Sequence, residues 1–350
     1  MRSRSTSRRR AIAAGLALGG LALVSGNTRA QARRITATAF PGPYEEAARR
    51  LPGALFTRLS GAEIGIRPVL AQEAMAKVVA SRGNPPYDVV ILDEATYLDS
   101  IRLDVFEPIP AAQMKHLADV ASGFGDSRNM GVFVAAHVIG IAYNPKTIKT
   151  PPTSWLDLWK PEFKGRVGIT NLGSGLGVAF LVEIAKLHGG SESNMDPAFV
   201  AMRKLLPNIA AAAPNPGALA ALFQQGQIDI AYNFLSAVEP LRVRGVDVAL
   251  TRPKEGFILL RNSMHIVKGS KAPDLAAAYI DANLDPEVQA GMGRLPYVVF
   301  PTNRKVAFGP DLTRYAKDQA ALMSNTITDW NTINPQRRDL VERFNREIRV

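Results

Sequence analysis

The sequence predicts an α/β protein of two lobes. Three observations carry that expectation. A chain of 350 residues is too long for one small core and suits two. From Arg34 the chain alternates strand-like and helix-like segments in a βαβαβ rhythm, the pattern of a doubly wound lobe. A second rhythm of the same kind starts at "RVGITN", Arg166 to Asn171. Hydrophobic residues are 47% and charged residues 21% of the chain, which suits a soluble globular protein.

The elements follow in order. "RITATA", Arg34 to Ala39, alternates as a strand and breaks at Pro41-Gly42-Pro43. Tyr44 to Leu59 reads as one helix, with Ala47, Leu51, Leu55 and Leu59 four apart. Gly65 to Leu70 is a short strand, and Gln72 to Ser81 a short helix stopped by Gly83. "YDVVILD", Tyr87 to Asp93, is an apolar run ending in an acid, as expected of a strand buried on both faces. "GVFVAAHVIGIAYNP", Gly131 to Pro145, is β-rich and ends at Asn144-Pro145. After "RVGITN" come the helix "GVAFLVEIAKLHGG", the helix "PGALAALFQQGQ" and the strand "IDIAYNF". "EGFILLRNSMHIVKG", from Glu255, is strand-like. Two helices follow, with starts at Pro273-Asp274 and Asp285-Pro286. Asp311 to Val350 reads as mostly helical and polar.

The N-terminus has the three parts of an export signal. A basic region ends at Arg10, a modestly apolar run covers Ala11 to Gly26, and Ala30-Gln31-Ala32 supplies the small residues a signal peptidase reads. The run is too short and too rich in Ala and Gly to make a good membrane span. Ser7-Arg8-Arg9-Arg10-Ala11-Ile12 resembles a twin-arginine motif, although Ala11 stands where an aromatic is usual. The expectation is a periplasmic protein, exported by the twin-arginine route, with its signal cleaved after Ala32. The formal charge of +11 includes six arginines of this segment, and +5 remains without them. That residue of charge calls for no nucleic-acid partner. Cysteine is absent, which excludes disulfides, thiolate nucleophiles and cysteine-ligated zinc. Neither a metal site nor a cofactor motif is expected. The four histidines are scattered, and no HExxH, GxSxG or GxxxxGK[ST] pattern occurs, so an exported enzyme is the weaker alternative.

In open α/β sheets ligands bind outside the carboxyl ends of strands. That rule marks Phe40 to Tyr44, Asp93 to Tyr97, Asn171 to Gly175 and Tyr232 to Ser236, with Arg261-Asn262-Ser263 as a fifth place. The candidate ligand-binding residues are therefore Phe40, Tyr44, Asp93, Glu94, Thr96, Asn171, Ser174, Gly175, Tyr232, Asn233, Ser236, Arg261 and Asn262. "TNLGSGLG" offers free amides at a helix start to an anion, or else is a tight turn needed for packing. Tyr232 and Asn233 can stack on and orient a small polar molecule, or Tyr232 can be a buried tyrosine with its hydroxyl satisfied. Asp93 and Glu94 can hold a cation or cap the next helix. Arg261 attracts an acid if it faces a cleft, and is a surface residue if it lies on the other face of its strand.

One segment carries a family resemblance. Two of the three tryptophans, Trp155 and Trp159, stand in "PPTSWLDLWKPEFKGRV", shortly after Tyr143-Asn144. This resembles the P-x-x-W-x-D-L-W-x-P-x-F/Y-K-G segment of type II periplasmic binding proteins of ABC importers. The nearest are those that carry spermidine/putrescine, ferric iron, thiamine or aminophosphonates. "YDVVILD", "PKEG" at Pro253 to Gly256 and the helix pair after Lys271 extend the resemblance over nearly all of the chain beyond the signal. It implies a two-lobed fold with a ligand cleft between lobes, and ligand contacts at all five marked places. It also implies crossovers near Ile141–Asn144 and Leu259–Ser263, and delivery of a small molecule by a monomer to the permease's transmembrane subunits. The lobes would be 33–142 plus 264–310 and 143–263, with 311–350 packing on both. Trp155 and Trp159 would pin a short helix to the second lobe; the other reading stacks one of them on the ligand. Polyamine-binding relatives have an aromatic and an acid where this chain reads Leu260-Arg261-Asn262. Ferric-binding relatives have paired tyrosines where it has Tyr232 alone. The first departure points to an acidic or zwitterionic solute, and the second argues against iron. A spermidine/putrescine binder is the alternative within the same fold, and a sensor partner of a signalling receptor would share the cleft.

Overall fold

The computed structural model describes residues 33–81 and 83–349, so the export signal lies outside the described residues. The first half is a parallel βαβαβ unit. β1 (Arg34–Ala39) runs through α1 (Pro43–Ala48) and α2 (Ala54–Ser60) to β2 (Glu63–Pro68), and α3 (Ala71–Ala80) leads to β3 (Val89–Asp93). α4 (Glu94–Ser100) and a short β4 (Phe106–Glu107) precede the twelve-residue β5 (Val132–Tyr143), which is buried throughout. The second half repeats the scheme. It comprises β6 (Val167–Thr170), α5 (Gly175–Leu187), α6 (Asp196–Leu205), β7 (Ile209–Ala213), α7 (Pro216–Gln224), β8 (Ile230–Phe234), α8 (Leu235–Val243) and β9 (Ala249–Thr251). β10 (Ile258–Val267) then returns to the first half, where α9 (Pro273–Leu284) and α10 (Pro286–Met292) pack. The end of the chain holds α11 (Pro310–Thr313), α12 (Gln319–Met323), β11 (Thr326–Ile327), α13 (Trp330–Ile333) and α14 (Arg337–Glu347).

One sheet runs through both halves in the order β2-β1-β3-β10-β5-β8-β6-β7. β2, β1 and β3 are parallel to one another, as are β8, β6 and β7. The long strands β10 and β5 are antiparallel to each other and to their outer neighbours β3 and β8. Two parallel lobes are thus joined by an antiparallel pair of crossing strands. The described residues include no helix long and apolar enough to cross a membrane.

Two departures from the sequence reading have clear causes. The helix read over Tyr44 to Leu59 is interrupted by a π turn at Arg49–Gly53 that contains Pro52. Proline lacks the N–H an α-helix needs, and the wider turn absorbs the gap. The turn shifts the helical phase, so Leu59, read as part of the apolar stripe, is 74% exposed. The C-terminal region is less helical than read, with four short helices separated by turns and by β11. α6 and α8 are additions; Pro240 inside α8 obscures its period.

The tryptophan segment is structural. Ser154 Oγ accepts from Leu156 N–H, and Asp157 Oδ2 accepts from the Thr153 and Ser154 amides, which closes a capping box around the 3₁₀ turn Trp155–Trp159. Trp155 is 0% exposed and packs edge-on against Phe180 of α5. Trp159 stacks on the same ring and donates Nε1–H to the Ala201 carbonyl at 2.8 Å. Trp155→Ala is therefore expected to lower the unfolding free energy by about 3–5 kcal/mol. Trp159→Phe is expected to cost only about 1 kcal/mol for the lost hydrogen bond. Urea unfolding checks this, and equal midpoints for the two variants would contradict it.

Candidate functional site

The strand register locates a cleft. β3 ends at Asp93, opposite Asn262 of β10, and Asn262 pairs in turn with Ala135 of β5. β8 runs the opposite way and ends at Phe234, opposite Ile139 of β5. The two strand ends point toward each other and are separated by four residue steps along β5, from Ala135 to Ile139, about 13 Å. The floor between them is Ala136-His137-Val138 with Leu259-Leu260-Arg261 alongside. Paired residues of an antiparallel sheet share a face, and side chains alternate along each strand. Asp93, Asn262, His137 and Phe234 therefore lie on one face of the floor and Arg261 on the other.

On the first face the side chains converge on His137. Asn262 Nδ2 donates to His137 Nε2 at 2.9 Å, and His137 Nδ1 lies 3.2 Å from Ser236 Oγ in the first turn of α8. The ring stands 6.2 Å from Tyr44 and 6.0 Å, edge to face, from Phe234; Tyr44 in turn is 5.8 Å, edge to face, from Phe40. His137, Tyr44 and Asn262 are buried, whereas Phe40, Asp93, Phe234 and Ser236 are half-buried around them. Five of the residues singled out in the sequence, Phe40, Tyr44, Asn262, Ser236 and Asp93, thus gather at one place. The sequence reading missed the residue at their centre. Its one signal was a single polar side chain in an otherwise apolar twelve-residue strand. Burial holds the His137 imidazole down at about 4, from an ordinary 6.5, so the ring is neutral.

Arg261 and Glu94 correct the charge argument made from the sequence. They do not offer separate charges to a ligand. On the opposite face, the guanidinium grips Glu94 with two nitrogens, Nε to Oε2 at 3.0 Å and Nη2 to Oε1, and its Nη1 donates to the Gly123 carbonyl. The guanidinium also lies 4.6 Å over the Phe133 ring. The side chains are 15% and 7% exposed, so each charge is met by the other.

Asp93 caps α4. Its Oδ1 accepts from Thr96 N at 2.9 Å and its Oδ2 from Thr96 Oγ1 at 3.0 Å. Tyr232 and Asn233 are also corrections to the expected contacts. Tyr232 shares a face with Phe234 but lies two residues back from the strand end, under α5. There it is 1% exposed, stacks on Phe180 at 3.8 Å, accepts from Thr170 N at 2.8 Å and donates to Thr170 O. Burial pushes its phenol up to about 12. Asn233 is fully buried, with Nδ2 donating to Pro216 O and Oδ1 accepting from Phe234 N.

The glycine loop stands beside the end of β8, because β6 and β8 are parallel neighbours. Ser174 caps α5, its Oγ accepting from Leu176 N at 3.3 Å. Asn171, Ser174 and Gly175 are half-buried, and nothing stands within 4 Å of where a Gly175 Cβ would be. Arg337, at the start of α14, donates Nη2–H to the Gly173 carbonyl at 3.2 Å and brings a cation to this loop. No local pattern in the sequence foretold that placement. Asn334, from the same segment, donates to the Ala95 carbonyl of α4 at 2.7 Å. Between α4 and α14 lies a cavity of about 480 Å³, lined by Gln72, Ala95, Thr96, Asn334 and Arg337 among others. Among the described residues no cluster of three or more His, Asp or Glu side chains is placed to hold a metal ion.

Comparison with known proteins agrees with this fold. Residues 84–323 match the model of the family described as bacterial extracellular solute-binding protein, over more than half of the chain. The chain belongs to that family. A spermidine/putrescine-binding periplasmic protein of Escherichia coli K12 is 26% identical over 256 residues, covering 68% of this chain and 70% of the relative. A Salmonella typhi periplasmic protein named for 2-aminoethylphosphonate binding is 26% identical over 248 residues, 69% of this chain and 70% of its own. An ABC transporter substrate-binding protein from Bradyrhizobium japonicum USDA 110 has the same two-lobed fold. Its TM-score is 0.75 at 19% identity, and the match covers 91% of this chain and 100% of that one. The protein is an extracellular solute-binding protein of the ABC-transporter kind, and the family binds solutes rather than transforming them.

Two buried histidines make the stability of this solute-binding protein pH-dependent. His265 is 0% exposed, and burial also holds its imidazole at about 4. A folded value below the unfolded 6.5 means that the unfolded chain takes up protons first. The contribution is whole above pH 6.5 and is lost as pH falls toward 4. Each histidine is expected to remove on the order of 1–3 kcal/mol over that window. Urea unfolding at pH 7.5, 5.5 and 4.5 checks the loss, and the smaller loss expected for His137→Asn isolates that residue's share. Equal slopes for the two proteins would contradict it.

Proposed function

We propose that this solute-binding protein captures a small zwitterionic solute between its lobes, closes on it by hinge motion and delivers it to the permease of an ABC importer. The observation that carries this reading is the register gap, with opposed strand ends 13 Å or so apart over a shared floor. Asp93 on the first lobe suits a basic group, since its lone pairs are not all taken by Thr96. The Gly175 amide at the start of α5 and the Arg337 guanidinium suit an acidic one. Arg337 takes the part that the sequence argument gave to Arg261. A solute with both charges matches the arrangement, and the relative named for 2-aminoethylphosphonate binding supports it. Asp93 and the spermidine/putrescine-binding relative favour a second reading, a polyamine. Against it, Leu260 and Asn262 stand where an aromatic and an acid would be wanted, and a cation guards the glycine loop. The lobes are taken as 33–142 plus 264–310 and 143–263, with the protein acting as a monomer in the periplasm after twin-arginine export.

Closure is expected to reduce the radius of gyration of ligand-stripped protein when a bound solute is restored, measured by small-angle scattering. An unchanged profile at saturation would sink the closure account. Arg337→Ala is expected to weaken binding of the solute about fivefold in calorimetry, since a half-buried ion pair contributes about 1 kcal/mol. Lys204→Ala, on the exposed face of α6, is expected to leave affinity unchanged. Equal affinities for the two variants would remove Arg337 from the site. Separately, N-terminal sequencing of periplasmic protein is expected to begin at Arg33, and a start at Met1 would refute cleavage after Ala32.

A further inference from the structure

We propose that His137 is the ligand-selecting residue of the cleft, and that the body of the solute between its two charged ends is an aromatic or heteroaromatic ring. The inference rests on the binding reading above and names the class of solute for that site. Four rings follow one another from lobe to lobe: Phe40 and Tyr44 from the first, His137 on the floor and Phe234 from the second, spaced 5.8, 6.2 and 6.0 Å. Each contact is tilted or edge to face rather than stacked. The ring faces are therefore not used up on one another, and offset or edge-to-face packing with a further ring is the arrangement aromatic side chains favour. Phe40 and Phe234, on opposite sides of the floor, are the half-buried members, so the row is accessible at its two ends.

The polar groups bonded to His137 are neutral. His137 is tied to Asn262 and to Ser236, and neither carries a charge. Tyr44 contributes its ring; its hydroxyl is buried and has no hydrogen-bond partner among the described residues. On the face that His137 occupies, the strand ends supply one carboxylate, Asp93, because Glu94 is held by Arg261 on the other face; Asp99 and Glu342 line the cavity beside Arg337. One carboxylate compensates one ammonium group. A linear di- or triamine would set two or more ammonium groups against that one carboxylate and leave the others to the ring faces alone, a weaker compensation than a second carboxylate. A single ring suits the same space: it meets the imidazole and the flanking phenyl rings by its faces and edges and can take a hydrogen bond from the floor.

The role of Ser236 follows from its place. It belongs to α8 of the second lobe, whereas His137 and Asn262 lie on the crossing strands. When the lobes open, Ser236 moves with the second lobe, and the His137–Ser236 contact is the one expected to yield to the solute. The Asn262 contact stays and holds the imidazole in orientation.

The test uses the full exported protein, stripped by unfolding and refolding, in calorimetry and small-angle scattering. The ring-bearing probes are 4-(aminomethyl)benzoate, 3-(aminomethyl)benzoate and 4-(2-aminoethyl)benzoate. The ringless probes are L-alanine, 2-aminoethylphosphonate and spermidine. At least one ring-bearing probe is expected to bind and compact the protein, at least a hundredfold more tightly than any ringless one. His137→Ala is expected to weaken that probe at least tenfold, and His137→Phe, which keeps a ring, to weaken it less than His137→Ala does. Melting temperatures confirm that both variants are folded; should His137→Ala fail to fold, the same comparison is made between His137→Phe and His137→Leu. Three results would overturn the inference: no ring-bearing probe binds, a ringless probe binds more tightly than all of them, or loss of the ring at position 137 leaves affinity unchanged. Compaction on a ringless probe that binds more tightly than every ring-bearing one would overturn the ring inference alone and leave solute capture by closure standing.

Discussion

The antiparallel pairing of β5 with β10 is the constraint on which the rest of the structure depends. These are the strands that cross between the lobes, and their register with β3 on one side and β8 on the other decides how far apart the lobe strand ends stand. Every residue of β5 is buried, so a one-residue slip would turn its whole inward set to the wrong face. Gly140 shows how tightly the register is held. A Cβ there would come within 2.7 Å of the Thr251 carbonyl of β9 and 2.8 Å of the Phe257 ring, so only glycine lets β5, β9 and the start of β10 close up.

Alternation along β10 separates two kinds of chemistry. Arg261 and Glu94 meet on one face with Phe133, and Asn262 meets His137 on the other. A partly buried ion pair of this sort is weak evidence for stability, because desolvation offsets much of the attraction. Its effect is to join α4 to β10 and to keep both charges on the face opposite His137. The cleft is left with neutral hydrogen bonds, aromatic rings and a few charges set at its edges.

Much of this was legible in the sequence. The apolar run ending at Asp93, the strand ending near Phe234 and the glycine loop at Asn171 to Gly175 all stand where the strand-end rule put them. Trp155 and Trp159 have the packing role their spacing suggested. What failed was the assignment of face and depth. Nothing local to Arg261 shows that its partner is Glu94, 167 positions away. Tyr232 and Phe234 share a face, and only the cover supplied by α5 decides that the first is core and the second rim. His137 was passed over because a lone histidine in an apolar strand is as often packing as function. Arg337 reaches the glycine loop through a tail whose short helices, capped by Asp318 and Asp329, carry little period to read.

The central claim is that the solute sits on the floor between the lobe strand ends, against His137. Long-range ¹H–¹⁵N correlation of the histidine imidazoles tests it directly, with His137 assigned by substitution and the protein compared stripped and loaded with the solute that co-purifies from its host. The account predicts that His137 in the stripped protein at pH 7 is neutral, with the proton on Nδ1. It also predicts that loading shifts the His137 resonances while those of His265, in the core, stay in place. Shifts at His265 with His137 unmoved, or a charged His137 at pH 7, would contradict it.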